Sequence, residues 1–237
     1  MWKEYFDKLL NTEEPKELIK IGSREIDEVE VEELTIEDVK KAVRNLKNNK
    51  APGTDGVHPE LIKYGGNKLL NRICELVRQI WEEGRIPEEW KETVIVPIYK
   101  KGDRGRCENY IILTNIILEK IKPYIEKITG DYQNGFRDGR YVIDNIFVFK
   151  IINKIFWEYN QNVQHLFIEF QKAYDCIHRD TLWQCMEEFK IPKKLINMCK
   201  TCLQKTRSAV RIKGTLPSFF ENKTGLKQGD YHHYYPT

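Results

Sequence analysis

Apolar residues recur at helical spacing in several stretches of the chain. The clearest repeat runs from Leu69 to Trp81 and stops at Gly84, a residue type that commonly ends helices. A second repeat follows Thr35, whose hydroxyl can cap a helix together with Asp38 three residues later. The apolar stripe of the first repeat is typical of a helix face that packs in a core, and not of a cofactor site.

The same spacing predicts further helices over residues 2–10, 117–128, 142–157, 179–189 and 193–203. Residues 109–117 are apolar, but neither the helical nor the strand period describes them clearly. Residues 26–34 are acidic and strongly polar, which favours a solvated connector behind the N-terminal helix.

Short apolar runs predict the strands. Residues 93–99 form one candidate, in which Pro97 indicates a sheet edge or a bulge. Residues 165–168 are a short continuous apolar run, which predicts a buried strand. Residues 209–212 and 219–221, with a turn at Lys213 and Gly214, predict a β-hairpin. Strands separated by several helices predict a helix-rich α/β or α+β fold.

Composition limits the function classes. At 237 residues the chain can form one large domain or two small ones, and its net charge of +3 means that any basic footprint must be local. Because neither an N-terminal signal peptide nor a membrane-spanning run is visible, we expect an intracellular protein of the nucleus or cytoplasm. The six cysteines are scattered, and we expect Cys199 and Cys202 to be core residues and not zinc or redox ligands.

Two acids flank the end of the predicted strand at 165–168. Glu169 follows the strand, and Asp175 comes six residues later where the pattern becomes helical. Carboxylates placed in this way can hold Mg²⁺, which prefers oxygen ligands. They can equally be a strand end and a helix cap, and the residues alone leave both interpretations open.

Three glycine-containing turns carry positive charge and are candidates for contact with phosphate. The first lies at 47–56 and includes Lys50. The second has four cations within seven residues, Lys100, Lys101, Arg104 and Arg106. The third, at 133–140, holds Phe136, Arg137 and Arg140, so that a ring could pack or stack beside the cations. Ordinary solvated turns have the same composition, and that alternative also stays open.

Five blocks occur in an order that resembles one known family. They are KNNKAPGTDG at 47–56, VIVPIYK at 94–100, QNGFRDGR at 133–140, EFQKAYD at 169–175 and TGLKQGD at 224–230. Together they resemble the reverse transcriptase domain of non-LTR (LINE-type) retrotransposons. The resemblance implies the fingers and part of the palm of a right-hand polymerase. Residues 35–150 would be mainly fingers and 151–230 a partial palm, whereas 1–34 would be an N-terminal helix with its connector, and 231–237 match no part of the family.

This resemblance implies an RNA-directed DNA polymerase that acts on an RNA template and a DNA primer, with deoxynucleoside triphosphates as substrates and no membrane partner. Glu169 would bind the catalytic Mg²⁺ ions, and the carbonyl of Phe170 would add a ligand. Tyr174 would be the steric gate against a 2′-hydroxyl, while Asp175 would be structural. The other nucleotide contacts would be Lys100, Gln228 and Gly229. The template and primer contacts would be Lys50, Lys101, Arg104, Arg106, Arg137, Arg140 and Gly225.

The sequence departs from the family pattern at three places. Glu169 stands where the family has Asp, Tyr110 is followed by Ile111 where the family has Arg, and no Tyr-x-Asp-Asp block follows the Gln-Gly-Asp motif. One remaining acid would leave two Mg²⁺ ions incompletely coordinated. We therefore expect a polymerase by descent that does not polymerise. The alternatives are a non-catalytic module that binds RNA or RNA–DNA hybrid, and a transposon relic without a selected function.

Overall fold

The computed structural model describes residues 2–11, 31–49, 56–95, 108–170, 173–210 and 218–226. Helices dominate these ranges and a small sheet accompanies them. In chain order the elements are α1 (Trp2–Leu10), α2 (Ile36–Arg44), α3 (Pro59–Tyr64), α4 (Gly66–Glu83), a short 3₁₀ helix (Glu88–Lys91), β1 (Glu92–Ile95), α5 (Glu108–Ile128), α6 (Val142–Glu158), α7 (Arg179–Glu188), α8 (Lys193–Leu203), β2 (Arg207–Val210) and β3 (Phe220–Glu221).

The main hydrophobic core lies among α2, α4, α5, α7 and α8. Its fully buried side chains include Val39, Val77, Ile112, Leu113 and Leu195. Each such side chain stabilises the fold by about 1.5–3 kcal/mol relative to leaving it exposed. This core joins residues from both sides of position 150, and the division into a fingers-like region (35–150) and a partial palm (151–230) stays a prediction.

The helix ends confirm the sequence signals. The amide of Asp38 donates to Thr35 Oγ1 over 3.2 Å, and the amide of Thr35 donates to Asp38 Oδ2 over 2.9 Å, which completes a capping box on α2. Helix α4 ends at Gly84, whose φ of 65° lies in the left-handed region and whose amide donates to the Ile80 carbonyl. The predicted helices at 179–189 and 193–203 correspond to α7 and α8.

Helix α5 resolves the stretch that periodicity left unclassified. It begins at Glu108 and continues through the predicted helix to Ile128, with Pro123 inside it. Ile112, Leu113 and Ile116 are buried on its core face. The apolar content of residues 109–117 is so high that the helical period is hidden, although only one face enters the core.

The three strands form one small sheet in the order β1–β2–β3. Strand β1 runs parallel to β2, with Glu92 opposite Arg207, and β2 pairs antiparallel with β3, with Ser208 opposite Phe220. The pairing of the predicted hairpin is therefore confirmed, while its turn and residues 96–99 of the first strand lie outside the described residues. The arrangement is a helix-rich α/β fold with a small sheet, as expected.

The N-terminal helix packs on this sheet. Phe6 and Leu10 of α1 contact the cluster formed by Ile95, Val210 and Phe220. The amphipathic helix predicted at residues 2–10 is thus confirmed. The predicted connector at 26–34 is described only from residue 31 onward, and there Leu34 is buried in the main core, so its last residue is not solvated.

Two further expectations concern the helices. In the part of the chain that the structure describes, no helix is long and apolar enough to cross a membrane. Cys199 and Cys202 both lie on α8, where Cys202 is buried and Cys199 packs against the core. Burial raises the pKa of the Cys199 thiol to about 12. Their prediction as core cysteines is confirmed.

Candidate functional site

The run at 165–168 does not form the predicted buried strand. Residues 161–170 carry neither helix nor strand, and Leu166 and Phe167 are 84 % and 81 % exposed. The prediction was wrong because a strand also needs a hydrogen-bonded neighbour. Among the described segments none pairs with residues 161–170, since the three described strands pair with one another.

This segment instead follows α6, which ends just before it. The ring of His165 shares a hydrogen bond of 2.8 Å with Asn153 Oδ1, and the rings of Phe149 and Phe167 lie 6.0 Å apart. Helix α6 is apolar around its circumference, and none of its residues is buried. The helix at 142–157 is confirmed, and its apolar surface continues into the segment that carries Glu169.

The feature that brings distant parts of the chain together is a turn docked against a loop. The turn at residues 173–177 follows Glu169, and the loop at residues 224–226 belongs to the TGLKQGD block. The amide of Leu226 donates to the carbonyl of Tyr174 over 2.9 Å, and the amide of Gly225 donates to the carbonyl of Ile177 over 2.8 Å. Thr224 Oγ1 adds a 3.4 Å hydrogen bond to the carbonyl of Asp175.

Gly225 permits this docking because it has no side chain. Its φ is 77°, a conformation that L residues with a side chain adopt only with strain. A Cβ atom added to Gly225 would lie 2.7 Å from the carbonyl oxygen of Asp175 and 3.1 Å from its Cα. The backbones of the turn and the loop therefore approach each other as closely as a glycine allows. Gly225 lies against the turn that carries Tyr174 and Asp175, and its predicted contact with nucleic acid stays a prediction.

Glu169 and Phe170 lie at the end of the segment before the turn. Both are exposed, and Tyr174 in the turn is half-buried. Two residues stand between Phe170 and Ala173 in the chain, so their Cα atoms lie within about 11 Å of each other. The predicted acid is consequently a close neighbour of the docked turn along the chain, whereas Gln228 and Gly229 lie outside the described residues.

The oxygen donors at this end of the segment match Mg²⁺ in type. The carboxylate of Glu169 and the carbonyl of Phe170 are hard ligands, and proteins commonly bind Mg²⁺ through one or two carboxylates with substrate phosphates completing the shell. Within the described ranges no three His, Cys, Asp or Glu side chains come together as a metal group. A complete octahedral shell would need further oxygen ligands, and the role of these two donors as metal ligands stays a prediction.

The glycine-rich turn at 133–140 is held by Arg137. The guanidinium of this residue, which is only 9 % exposed, pairs with Glu126 over 2.8 Å and donates to the carbonyl of Gly130 over 2.9 Å. Phe136 next to it has φ of 60° and is 64 % exposed. Arg137 thus fixes the loop between α5 and α6, and its predicted contact with nucleic acid stays a prediction.

The other charged side chains of this turn that have described ion pairs, Arg140 and Asp138, are paired with groups of opposite charge. Arg140 pairs with Asp131 over 2.8 Å, and Lys122 on α5 pairs with Asp138. Such exposed pairs are weak, about 0–1 kcal/mol, so a phosphate could compete for Arg140. The remaining predicted cations, Lys50, Lys100, Lys101, Arg104 and Arg106, lie outside the described residues.

One residue of the docked region has no counterpart in the sequence-based site. Arg179, predicted only as the start of a helix, is partly buried and donates from Nε to the carbonyl of Gly225 over 3.2 Å. No spacing or composition signal marks this role, because its acceptors lie 24 to 46 residues away along the chain.

Comparison with known proteins agrees with the blocks. Residues 98–231, more than half of the chain, match the reverse transcriptase (RNA-dependent DNA polymerase) family. This match includes three of the five blocks in full, those at 133–140, 169–175 and 224–230.

Curated relatives come from transposons. The chain is 20 % identical over 206 residues to the transposon TX1 uncharacterized 149 kDa protein of Xenopus laevis, which covers 83 % of this chain and 16 % of that protein. It is 24 % identical over 213 residues to the RNA-directed DNA polymerase from mobile element jockey of Drosophila melanogaster, covering 83 % and 23 %. It is 21 % identical over 214 residues to the probable RNA-directed DNA polymerase from transposon BS of the same species, covering 84 % and 23 %.

The chain thus spans less than a quarter of the length of these relatives. The family match and the origin of these relatives in transposons and mobile elements both agree with the resemblance that the ordered blocks show. The chain belongs to the reverse transcriptase family, as a reverse transcriptase domain of the non-LTR retrotransposon type.

Proposed function

We propose that this chain supplies the nucleotide-selecting part of an RNA-directed DNA polymerase that extends a DNA primer on an RNA template. In this proposal residues 35–150 are mainly fingers and 151–230 belong to the palm of a right-hand polymerase. The observation that carries it is the docking of the Tyr174 turn on the Gly225 loop. The family resemblance assigns these two blocks, which lie about 50 residues apart, to one nucleotide site. Two backbone hydrogen bonds and one from the Thr224 side chain join them.

Each residue has a role in this proposal. The carboxylate of Glu169 and the carbonyl of Phe170 would hold Mg²⁺ at the site that takes the incoming deoxynucleotide. When bound, Mg²⁺ neutralises the charge that develops on the phosphates during transfer. Tyr174 lies under the sugar and excludes a 2′-hydroxyl by volume. Its half-buried position and its backbone bond to Leu226 support a fixed placement of the ring.

The loop and the cations complete the proposed site. Gly225 lets the backbone approach closely, and the proposal assigns Gln228 and Gly229 to contact with the nascent base pair and the template. It assigns Lys100 to the triphosphate, and it assigns to the phosphates of the template and primer the cations Lys50, Lys101, Arg104, Arg106 and Arg140. Arg137 acts through the loop that it holds, because its guanidinium is already bound to Glu126 and Gly130.

Glu169 is expected to limit the rate. Its side chain is one methylene longer than the Asp of the family, and a displacement of about 1 Å at a catalytic group can cost roughly 10²-fold in rate. Primer extension on poly(rA) with an oligo(dT) primer, dTTP and either Mg²⁺ or Mn²⁺ tests this. We expect little incorporation by the unaltered chain, an increase of up to about 10²-fold for Glu169→Asp, and none for Glu169→Gln.

The matched control is Glu188→Gln, which removes an exposed acid at the end of α7. This variant should behave as the unaltered chain does. Equal incorporation by the unaltered chain and Glu169→Gln would show that Glu169 does not hold the metal. No incorporation by any variant, Glu169→Asp included, would remove the catalytic proposal for this chain.

The presence of Glu at position 169 also favours a second candidate, a non-catalytic module that binds RNA or RNA–DNA hybrid. Contacts with phosphates release counterions, so affinity for a poly(rA)–oligo(dT) hybrid should fall steeply between about 50 and 200 mM salt. The module is supported if the chain binds the hybrid with this salt dependence while Glu169→Asp shows no primer extension. Absence of hybrid binding at low salt eliminates it.

A further inference from the structure

Arg179 is the first residue of α7, and only the N-cap residue His178 separates it from the turn that carries Tyr174. A cation at this position opposes the helix dipole, which favours negative charge at a helix N-terminus. Its guanidinium is partly buried and binds groups that belong to other elements. The reason for an arginine here must therefore be sought in those acceptors.

The guanidinium connects three separate segments. Nε donates to the carbonyl of Gly225 over 3.2 Å, and Nη2 lies 3.5 Å from the carbonyl of Thr224. Nη1 donates to the carbonyl of Leu203 at the C-terminal end of α8, where a positive charge is favourable. Nη2 also donates over 3.1 Å to Oγ1 of Thr206, a fully buried residue directly before β2.

Only a planar fork with several donors can serve acceptors in these different directions. The ammonium of lysine is a single point on a flexible stem and reaches one carbonyl at a time. Because only His178 separates Arg179 from the turn at 173–177, Arg179 couples the position of Tyr174 to that of the loop at 224–226 through one rigid group. The two backbone hydrogen bonds of Tyr174 and Ile177 complete this connection.

We infer that Arg179 is a positioning residue that holds residues 224–226 in register with Tyr174, and so sets how strictly the site distinguishes deoxyribonucleotides from ribonucleotides. The part about sugar selection rests on the proposed polymerase function. The part about register concerns the fold alone and can be measured without activity.

Hydrogen exchange of the full chain, followed by mass spectrometry, measures the register. In Arg179→Gln and Arg179→Lys we expect the amides of Gly225 and Leu226 to exchange about tenfold faster or more. The reason is that losing one hydrogen bond from a charged donor shifts the opening equilibrium of the loop by about that factor. The matched control is Arg207→Gln, which removes an arginine of β2 whose guanidinium pairs with Glu92 and lies over the ring of Phe219. This control should leave exchange at 225 and 226 unchanged.

The conservative variant separates positioning from general stability. If Arg179→Lys folds with native protection in α7 and α8 but loses it at residues 224–226, the fork holds the loop. Unchanged exchange at 225 and 226 in both variants would overturn the inference. An equal rise in exchange throughout α7, α8 and the loop would also overturn it, because Arg179 would then only stabilise the whole fold.

Primer extension with dATP or ATP on a poly(rU) template measures the consequence for selection. We expect Arg179→Lys to lower the ratio of kcat/KM for dATP over ATP by about tenfold, since small displacements of positioning groups change rates by this order. Arg207→Gln should keep the ratio. A native ratio in Arg179→Lys with a loosened loop would refute the link to sugar selection. If the unaltered chain and Glu169→Asp use neither nucleotide, the proposed function fails, while hydrogen exchange still decides the role of Arg179.

Discussion

Replacement of Gly225 by alanine tests the docking of turn and loop most simply. The added methyl group would be placed 2.7 Å from the Asp175 carbonyl oxygen, a backbone atom that cannot rotate away. The residue would also keep a φ of 77° only under strain. Gly84→Ala is the matched control, because Gly84 has φ of 65° but no atom within 4 Å of the position of an added Cβ.

The two variants should differ in stability because only Gly225 lies close to another backbone segment, that of Asp175. A left-handed conformation costs a residue with a side chain about 1–2 kcal/mol, and both variants carry this cost. Gly225→Ala also weakens the hydrogen bonds to Ile177 and Tyr174, which contribute about 0.5–1.5 kcal/mol each. We therefore expect Gly225→Ala to cost about 2–5 kcal/mol, against about 1–2 kcal/mol for Gly84→Ala.

Urea unfolding followed by circular dichroism gives the global free energy of unfolding. If the loop opens without unfolding the core, hydrogen exchange at residues 224–226 measures the destabilisation of the loop instead. If both methods give the two variants the same loss of stability within about 0.5 kcal/mol, the close packing of Gly225 on Asp175 is refuted.

Two other predictions concern cysteines and arginines. Cys176 is exposed, whereas burial raises the pKa of Cys199 to about 12, so the latter thiol stays protonated far above neutral pH. Iodoacetamide at pH 8 should therefore modify Cys176 and spare Cys199 in the folded chain, and similar modification of both would contradict the packing of α8. Arg137→Ala should destabilise the chain by about 2–4 kcal/mol because it leaves the Gly130 carbonyl and Glu126 without their partner, whereas Arg140→Ala should cost less than about 1 kcal/mol. Urea midpoints compare the two arginine variants, and equal costs would contradict the structural role of Arg137.

Local signals predicted most of the helical elements. The capping box at Thr35 and the left-handed Gly84 are each defined by a few neighbouring residues, so the sequence contains the whole interaction. The hairpin pairing of β2 and β3 was predictable for the same reason, since its strands are close along the chain. Residues 109–117 were harder, because their apolar residues fit neither the helical nor the strand period clearly, and the sequence therefore does not show which face of α5 enters the core.

The failure at residues 165–168 has a different cause. An apolar run indicates that a segment prefers to be buried, but burial also depends on a partner elsewhere in space. Phe167 contacts Phe149 of α6 and nevertheless remains 81 % exposed. Likewise Arg179 could not be predicted, because its hydrogen bonds reach acceptors that only the tertiary structure brings together.

The candidate site was predictable as a set of motifs and not as a geometry. Hydrogen bonds place the segments of Tyr174 and Gly225 side by side, and the assignment of both residues to one nucleotide site stays a prediction. The roles of Glu169 and Tyr174 in chemistry stay predictions, since they concern a nucleotide and a metal ion.

Photo-crosslinking with 8-azido-dATP in the presence of a primed poly(rU) template and Mn²⁺ tests most directly whether the turn and the loop form a nucleotide site. We predict that the label attaches to peptides containing residues 173–178 or 218–226, and that excess dATP prevents it. Labelling confined to other parts of the chain, or labelling that dATP does not reduce, would contradict the account.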